Sequence, residues 1–152
     1  MLIKNKPEIF GHQYIVDEND EVCGEEENLL INATDITLEE AKEAVLSRGG
    51  VCYPAHIDRT SNGIVAALGS FPEDIGYTAY ELNNAASVSE YEERFPVLKN
   101  LPRAVSSDAH NLWSISEAEF SIPIDDEPYS SSLVRNRLID YLLGIGRSGG
   151  NG

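Results

Sequence analysis

Val51-Cys52-Tyr53-Pro54-Ala55 constrains this chain more than any other segment: it is an unbroken apolar run, preceded by Gly49-Gly50 and followed by His56. An apolar run of that length, with glycine on one side and polar residues on the other, has the pattern of a strand buried on both faces. Strands of that kind belong to α/β folds, where helices cover the sheet. The rest of the chain supplies the expected alternation. Thr37-Leu38-Glu39-Glu40 matches a capping box that opens a helix, Ala41, Ala44 and Val45 continue its apolar stripe, and Gly49-Gly50 ends it. Ile64 to Leu68 predicts a short helix, Pro72 to Gly76 a turn, and Thr78 to Leu82 a second strand. Glu90 to Phe95 and Val97 to Leu98 predict a helix interrupted at Pro96, and Ala104 to Ser107 a third strand. Phe120 to Ile124 reads as a strand that Pro123 confines to an edge, and Leu133 to Leu143 as a closing amphipathic helix. Ahead of all these, Gln13 to Val16 and Glu21 to Cys23 flank Asp17-Glu18-Asn19-Asp20 as a hairpin with an acidic tip. The fold class is therefore α/β, with a largely parallel sheet or barrel and an N-terminal β-hairpin. In such folds ligand sites gather at the C-terminal ends of the strands.

Composition narrows the function. The chain has 152 residues, which is one domain's worth, and its 26 Asp+Glu against 11 Lys+Arg give a formal charge of -15. That balance repels a phosphate backbone or an anionic membrane surface unless cations intervene, so direct nucleic-acid binding is disfavoured. No apolar run approaches the roughly 20 residues that cross a bilayer, and the start carries no signal-peptide pattern, so a soluble, cytoplasmic protein is expected. The two cysteines, Cys23 and Cys52, form no CxxC and read as plain thiols. The acidic stretch from Asp17 to Glu27 fails as a calcium loop, because Val22 stands where glycine is needed and Asn28 where a bidentate Glu is needed.

Chemistry-bearing residues cluster after the apolar segments. Of three histidines, His56 follows the first run and His110 follows the third strand in Ser106-Ser107-Asp108-Ala109-His110. Two residues apart on an extended backbone, Asp108 and His110 would share one face, and carboxylate with imidazole suits zinc, manganese or iron. The alternative is an Asp that caps a turn beside an exposed His. A Ser-His-Asp relay among Ser107, Asp108 and His110 is disfavoured, since neighbouring residues rarely reach that geometry. In His56-Ile57-Asp58-Arg59, the histidine taken alone reads as structural rather than as a ligand, and Asp58 with Arg59 as a surface pair.

Taken together, Pro54-Ala55-His56-Ile57-Asp58-Arg59 and Ser106-Ser107-Asp108-Ala109-His110 resemble the third and fourth motifs of the PHP (polymerase and histidinol phosphatase) superfamily. Phe10-Gly11-His12-Gln13, Leu29 to Thr34 and Leu68 to Asp74 resemble segments of stand-alone bacterial PHP proteins, so that the resemblance covers about residues 7 to 115. It implies a distorted (β/α)7 barrel that hydrolyses phosphate esters with metal-activated water. By that resemblance His56, Asp108 and His110 are metal ligands, Arg59 contacts phosphate, and Asp58 stands behind the metal ligands and orients His56. A small phosphorylated substrate and a divalent metal (zinc, manganese or iron) are implied with it.

The family's His-x-His motif and its Thr-Asp-His-like second motif do not occur, and His12 does not replace them. The resemblance therefore implies the C-terminal part of a PHP barrel over residues 1–143 with a disordered tail over 144–152, and incomplete metal sites. Two functions are compatible with that: a phosphoesterase incomplete in this chain, or a non-catalytic PHP remnant or interaction module with vestigial ligands. An exposed sheet edge would favour a homodimer, aggregation, or cover by the N-terminal hairpin.

Overall fold

The computed structural model describes residues 3–118, 120–124 and 130–146, in two compact units, Met1–Thr37 and Leu38–Gly152. The smaller unit contains the helical turn α1 (Pro7–Phe10) and the antiparallel hairpin of β1 (Tyr14–Val16) and β2 (Val22–Glu25), paired Tyr14 to Glu25 and Ile15 to Gly24. Its tip is the acidic turn that the sequence predicts. Asp17 Oδ1 accepts the amides of Asn19 at 2.8 Å and Glu21 at 3.0 Å, and these two bonds hold its carboxyl below the usual carboxylate range. His12 is held by Glu25, with Nδ1 to Oε1 at 2.9 Å, and stacks on Tyr14. No described residue of this unit is buried.

The larger unit begins with α2 (Leu38–Leu46), immediately after Thr37, and ends that helix with Gly49 at φ 75°. Gly50 must lack a side chain, because a Cβ there would lie 2.8 Å from Val45 Cγ1. The next segment, the apolar run, is a correction to the sequence reading, since residues 51–55 form no regular strand. They run beside β3 (Tyr80–Leu82) through two bonds only, Glu81 N to Pro54 O at 3.1 Å and Ile57 N to Glu81 O at 2.9 Å. Pro54 has no N–H to extend the ladder, and His56, at φ 32°, turns the chain away. Ile64–Leu68 is the helix α3, as predicted, and Glu73–Ile75 a helical turn.

β3 pairs in parallel with β4 (Arg103–Val105), Tyr80 with Arg103 and Leu82 with Val105. Between them runs α4 (Val88–Arg94), succeeded by a tight helical turn over Pro96–Asn100, so Pro96 interrupts the helix where expected. This β-α-β unit is the part of the predicted α/β architecture that forms. The two sheets have two strands each, and no closed barrel occurs among the described residues. The predicted strand at Phe120–Ile124 is also absent; Pro123 lacks a ladder donor, and Ile124 N bonds locally to Ile122 O. The closing helix α5 spans Ser131–Leu142. Of the expected disordered tail, Gly144–Gly146 is a turn bonded back onto α5, and 147–152 lie outside the described residues.

The core sits in this unit. Ile57, Tyr80, Leu82 and Leu98 are wholly buried, with Val65, Ile75 and a cluster of Phe71, Tyr77 and Phe95 around them. Tyr80 donates its hydroxyl to Glu92 Oε1 at 3.0 Å, and Arg103 Nη1 shares that oxygen at 3.1 Å. Burial, and then Glu92, push the Tyr80 phenol up to about 12. No helix among the described residues is long and apolar enough to cross a membrane.

Two outcomes are expected. Leu82→Ala should lower the free energy of unfolding in urea by about 2–5 kcal/mol, because it empties a fully buried site. Above pH ~10, where an unfolded tyrosine ionises, the unfolded chain releases a proton that native Tyr80 keeps, so stability should fall between pH ~10 and ~12 and not below. Ultraviolet titration of phenolate in wild type and Tyr80→Phe checks this: loss of the last-ionising tyrosine from the variant is the expected result.

Candidate functional site

Three chain segments end at one edge of the β-α-β unit: the 54–59 loop, Asn83-Asn84 after β3, and 106–110 after β4. They are fastened together by side chains. Asp58 Oδ1 accepts the Asn83 amide at 2.7 Å and its Oδ2 accepts the Asn84 amide at 2.9 Å. Asn83 Nδ2 in turn donates to Ser107 O at 2.8 Å and Ser106 O at 3.0 Å. Arg59 Nη1 donates to Asp108 Oδ2 across 49 residues of sequence. Hence the two motif segments lie side by side at the C-terminal ends of parallel strands, where α/β sheets place their sites.

The geometry of each predicted residue differs in detail from the sequence reading. Asp58 and Arg59 do not pair with each other. Both Asp58 oxygens are engaged by the backbone after β3, so it braces loops, and it makes no hydrogen bond to His56. Asp108 is not extended, as the shared-face expectation assumes, but left-handed at φ 49°. It nevertheless meets His110, whose Nε2 lies 3.6 Å from Asp108 Oδ2. His110 is 80% exposed, so the turn-capping alternative for this pair describes its surroundings as well as a ligand role does.

His56 is held by its backbone. Its N–H donates to Glu81 Oε1 at 3.3 Å and its carbonyl accepts the Arg59 amide at 3.0 Å. Gly63 lies against it so closely that a Cβ there would come 2.9 Å from the His56 carbonyl oxygen. The ring Nδ1 is buried with no hydrogen-bond partner, an arrangement that native proteins seldom tolerate. His56 lines an apolar cleft with Tyr53, Ile64, Leu68 and Tyr77, and burial followed by Glu81 raises the Tyr53 phenol above its ordinary value. Arg59 and Asp58 line a different, polar cleft with Thr60, Ser61, Asn84 and Ser87. Thus the structure brings Asp108, His110 and Arg59 together and leaves His56 apart from them. Among the described residues, no three His, Cys, Asp or Glu side chains form a group able to hold a metal ion.

No family model, curated protein or solved structure matches this chain. The site is therefore argued from its own residues.

Those residues fit a divalent cation in kind but not as one complete set. A carboxylate and an imidazole 3.6 Å apart are a two-donor pair for a borderline metal, and the unsatisfied ring of His56 is a separate single donor. Two residues that sequence reasoning missed, Glu81 and Asn83, hold the loops in place. Their only sequence signal is polarity at the end of the strand Thr78 to Leu82 and directly after it.

Removal of the Asp58 carboxylate leaves two backbone amides without their charged acceptor. Asp58→Ala should destabilise the protein by about 1.5–3 kcal/mol in urea unfolding, and Asp58→Asn, which keeps one acceptor oxygen, by less. Equal stability of wild type and Asp58→Ala would refute the bracing role.

Proposed function

We propose that this chain carries part of the site of a PHP-type metal-dependent phosphoesterase, with Asp108 and His110 as one pair of cation donors and His56 as a donor to a second ion. The observation that carries the reading is the backbone. His56 and Asp108, which the motifs assign as ligands, are two of the four non-glycine residues at positive φ among the described residues. Left-handed backbone at such residues costs about 1–3 kcal/mol and persists where the surroundings enforce it, most often at functional sites. Here Glu81 accepts from the His56 amide, and Asn83 donates to the carbonyls of Ser106 and Ser107, just before Asp108.

A bound zinc, manganese or iron ion would supply hydroxide near neutral pH and offset the phosphate's charge. That also reconciles a chain of charge -15 with an anionic substrate. Arg59, which pairs with Asp108 and lines the polar cleft, would meet the phosphate of a small phosphorylated substrate. The remaining ligands of the family pattern, His-x-His and the second motif, are not among these residues, so the site is incomplete in this chain.

A second reading, a non-catalytic PHP remnant with vestigial ligands, is favoured by a specific observation as well. The three motif donors do not gather, and Arg59 already occupies Asp108. Metal analysis of the purified chain with manganese separates the two readings. The phosphoesterase reading expects bound manganese that is lost in both Asp108→Ala and His110→Ala. Because the site is incomplete, p-nitrophenyl phosphate hydrolysis by the wild-type chain should be no faster than by Asp108→Ala. No manganese on the wild type, or undiminished manganese on Asp108→Ala, would establish the remnant reading instead.

A further inference from the structure

We propose that this chain pairs with a second copy of itself, each copy seating Leu112, Trp113 and Ile115 in the apolar cleft of the other. The inference is independent of the phosphoesterase reading and rests on two surfaces of the larger unit that match in chemistry.

The first surface is a projection. Leu112–Ser114 is a tight helical turn beyond the 106–110 loop, where Leu112 is 82% exposed, Trp113 87% and Ile115 61%. Single exposed apolar side chains are ordinary, but three large ones within four positions form a patch of the kind that protein interfaces use, with tryptophan foremost. The turn is already shaped by its own bonds, Ser114 N to Asn111 O at 3.2 Å and Ser114 Oγ to Asn111 Oδ1 at 2.6 Å. A preformed turn loses little conformational freedom on binding.

The second surface is the cleft that His56 lines, a hollow of about 660 Å³ walled by Leu38, Tyr53, Ile64, Ala67 and Leu68. Leu68 is itself 57% exposed, so the chain leaves its own cleft uncovered. That volume lies within the ~300–1,000 Å³ of sites that enclose drug-sized molecules, which is room for an indole with a leucine beside it. No Asp, Glu, Lys or Arg lines the cleft, and none occurs from Asn111 to Ser116, in a chain where 24% of residues carry charge. Two copies at -15 each repel, and they can meet closely only where neither brings charge. A bilayer is the poorer occupant, because the projection has no lysine or arginine to hold it at a headgroup surface.

Area decides between one contact and two. Trp113 buries about 150–250 Å², Leu112 and Ile115 roughly 100 Å² each, and the receiving cleft loses a similar area. One such contact totals about 800 Å², the size of incidental contacts, whereas two related by a two-fold axis reach about 1,600 Å², the standard size of a stable interface. A reciprocal pair also closes, leaving neither projection nor cleft to recruit a third copy.

Trp113 is the sole tryptophan, so its emission reports this contact directly. Sedimentation equilibrium and tryptophan fluorescence of the full chain over a concentration series test the pairing in wild type, Trp113→Ala and Ala67→Glu. Both substituted positions are exposed, and the second puts a carboxylate into the cleft without touching the core. Wild type should pass from monomer to dimer while its emission moves to the blue, and sodium chloride should tighten the pair by screening the like charges. Each variant should dimerise about thirty-fold more weakly or worse, the loss expected of an interface hot spot. Trp113→Ala added in excess to Ala67→Glu restores one of the two contacts and should shift the emission of the only tryptophan present. A wild type that stays monomeric with unshifted emission overturns the proposal. So does pairing undiminished in either variant, pairing that salt dissolves, a mixture without a shift, or a shift that requires phosphatidylcholine vesicles.

Discussion

The carboxylate of Asp58 is the interaction on which the candidate site depends. Its two oxygens take the amides of Asn83 and Asn84, and the Asn83 side chain passes the restraint to Ser106 and Ser107. In this way one charged group fixes the loop after the apolar run, the end of β3 and the end of β4 relative to one another. Charge-assisted bonds to a carboxylate are the stronger kind, at about 1.5–3 kcal/mol each. Two strands of three residues could not hold these loops by their ladder alone, since a two-stranded sheet of that length is marginal. The burial of Ile57, Tyr80 and Leu82 beneath supplies the platform, and Asp58 converts the platform into defined loop positions.

How much of the fold is legible in the sequence depends on the range of the interaction that decides each element. Local signals read well: Ile64–Leu68 is a helix between Gly63 and Gly69, Pro96 divides α4 from the next turn, and Asp17 makes the hairpin tip. Each of these depends on residues within a few positions. Apolar character reads correctly at Pro54 and Leu82 but not at Ala55, which is exposed, and it does not decide backbone form. The run at residues 51–55 packs beside β3 without becoming a strand, because its proline removes a donor and His56 bends the backbone. At Phe120–Ile124 the same residue type, Pro123, predicts a strand shifted to an edge, and no strand forms.

Side-chain partnerships at the site are not legible, for a physical reason. Arg59 and Asp108 are 49 residues apart, and Asp58 reaches Asn83 across 25. No periodicity or spacing encodes which of several acidic residues a given arginine will meet. The choice depends on the register of β3 against β4 and on left-handed φ at Asp108, both tertiary outcomes. Arg59, Asp108 and His110 do come together, through tertiary contacts that the motif spacing does not encode. Nor does that spacing encode that His56 lines the apolar cleft.

Charge gives this division of the motif its meaning. In a chain with 26 acidic and 11 basic residues, an arginine beside a carboxylate at a strand end lowers the local negative potential that would otherwise attract any cation. Asp108 therefore has its charge met by Arg59 in the folded chain. His110, exposed and 3.6 Å away, stands against the same carboxylate oxygen. His56, with a buried ring nitrogen in no hydrogen bond, is left unsatisfied by the folded chain alone. Of the two motif segments, one has its carboxylate paired within the chain and the other keeps a buried ring nitrogen without a partner. A structural role accounts for Asp108, whose carboxylate is paired, and leaves the unpartnered nitrogen of His56 as the feature it does not explain.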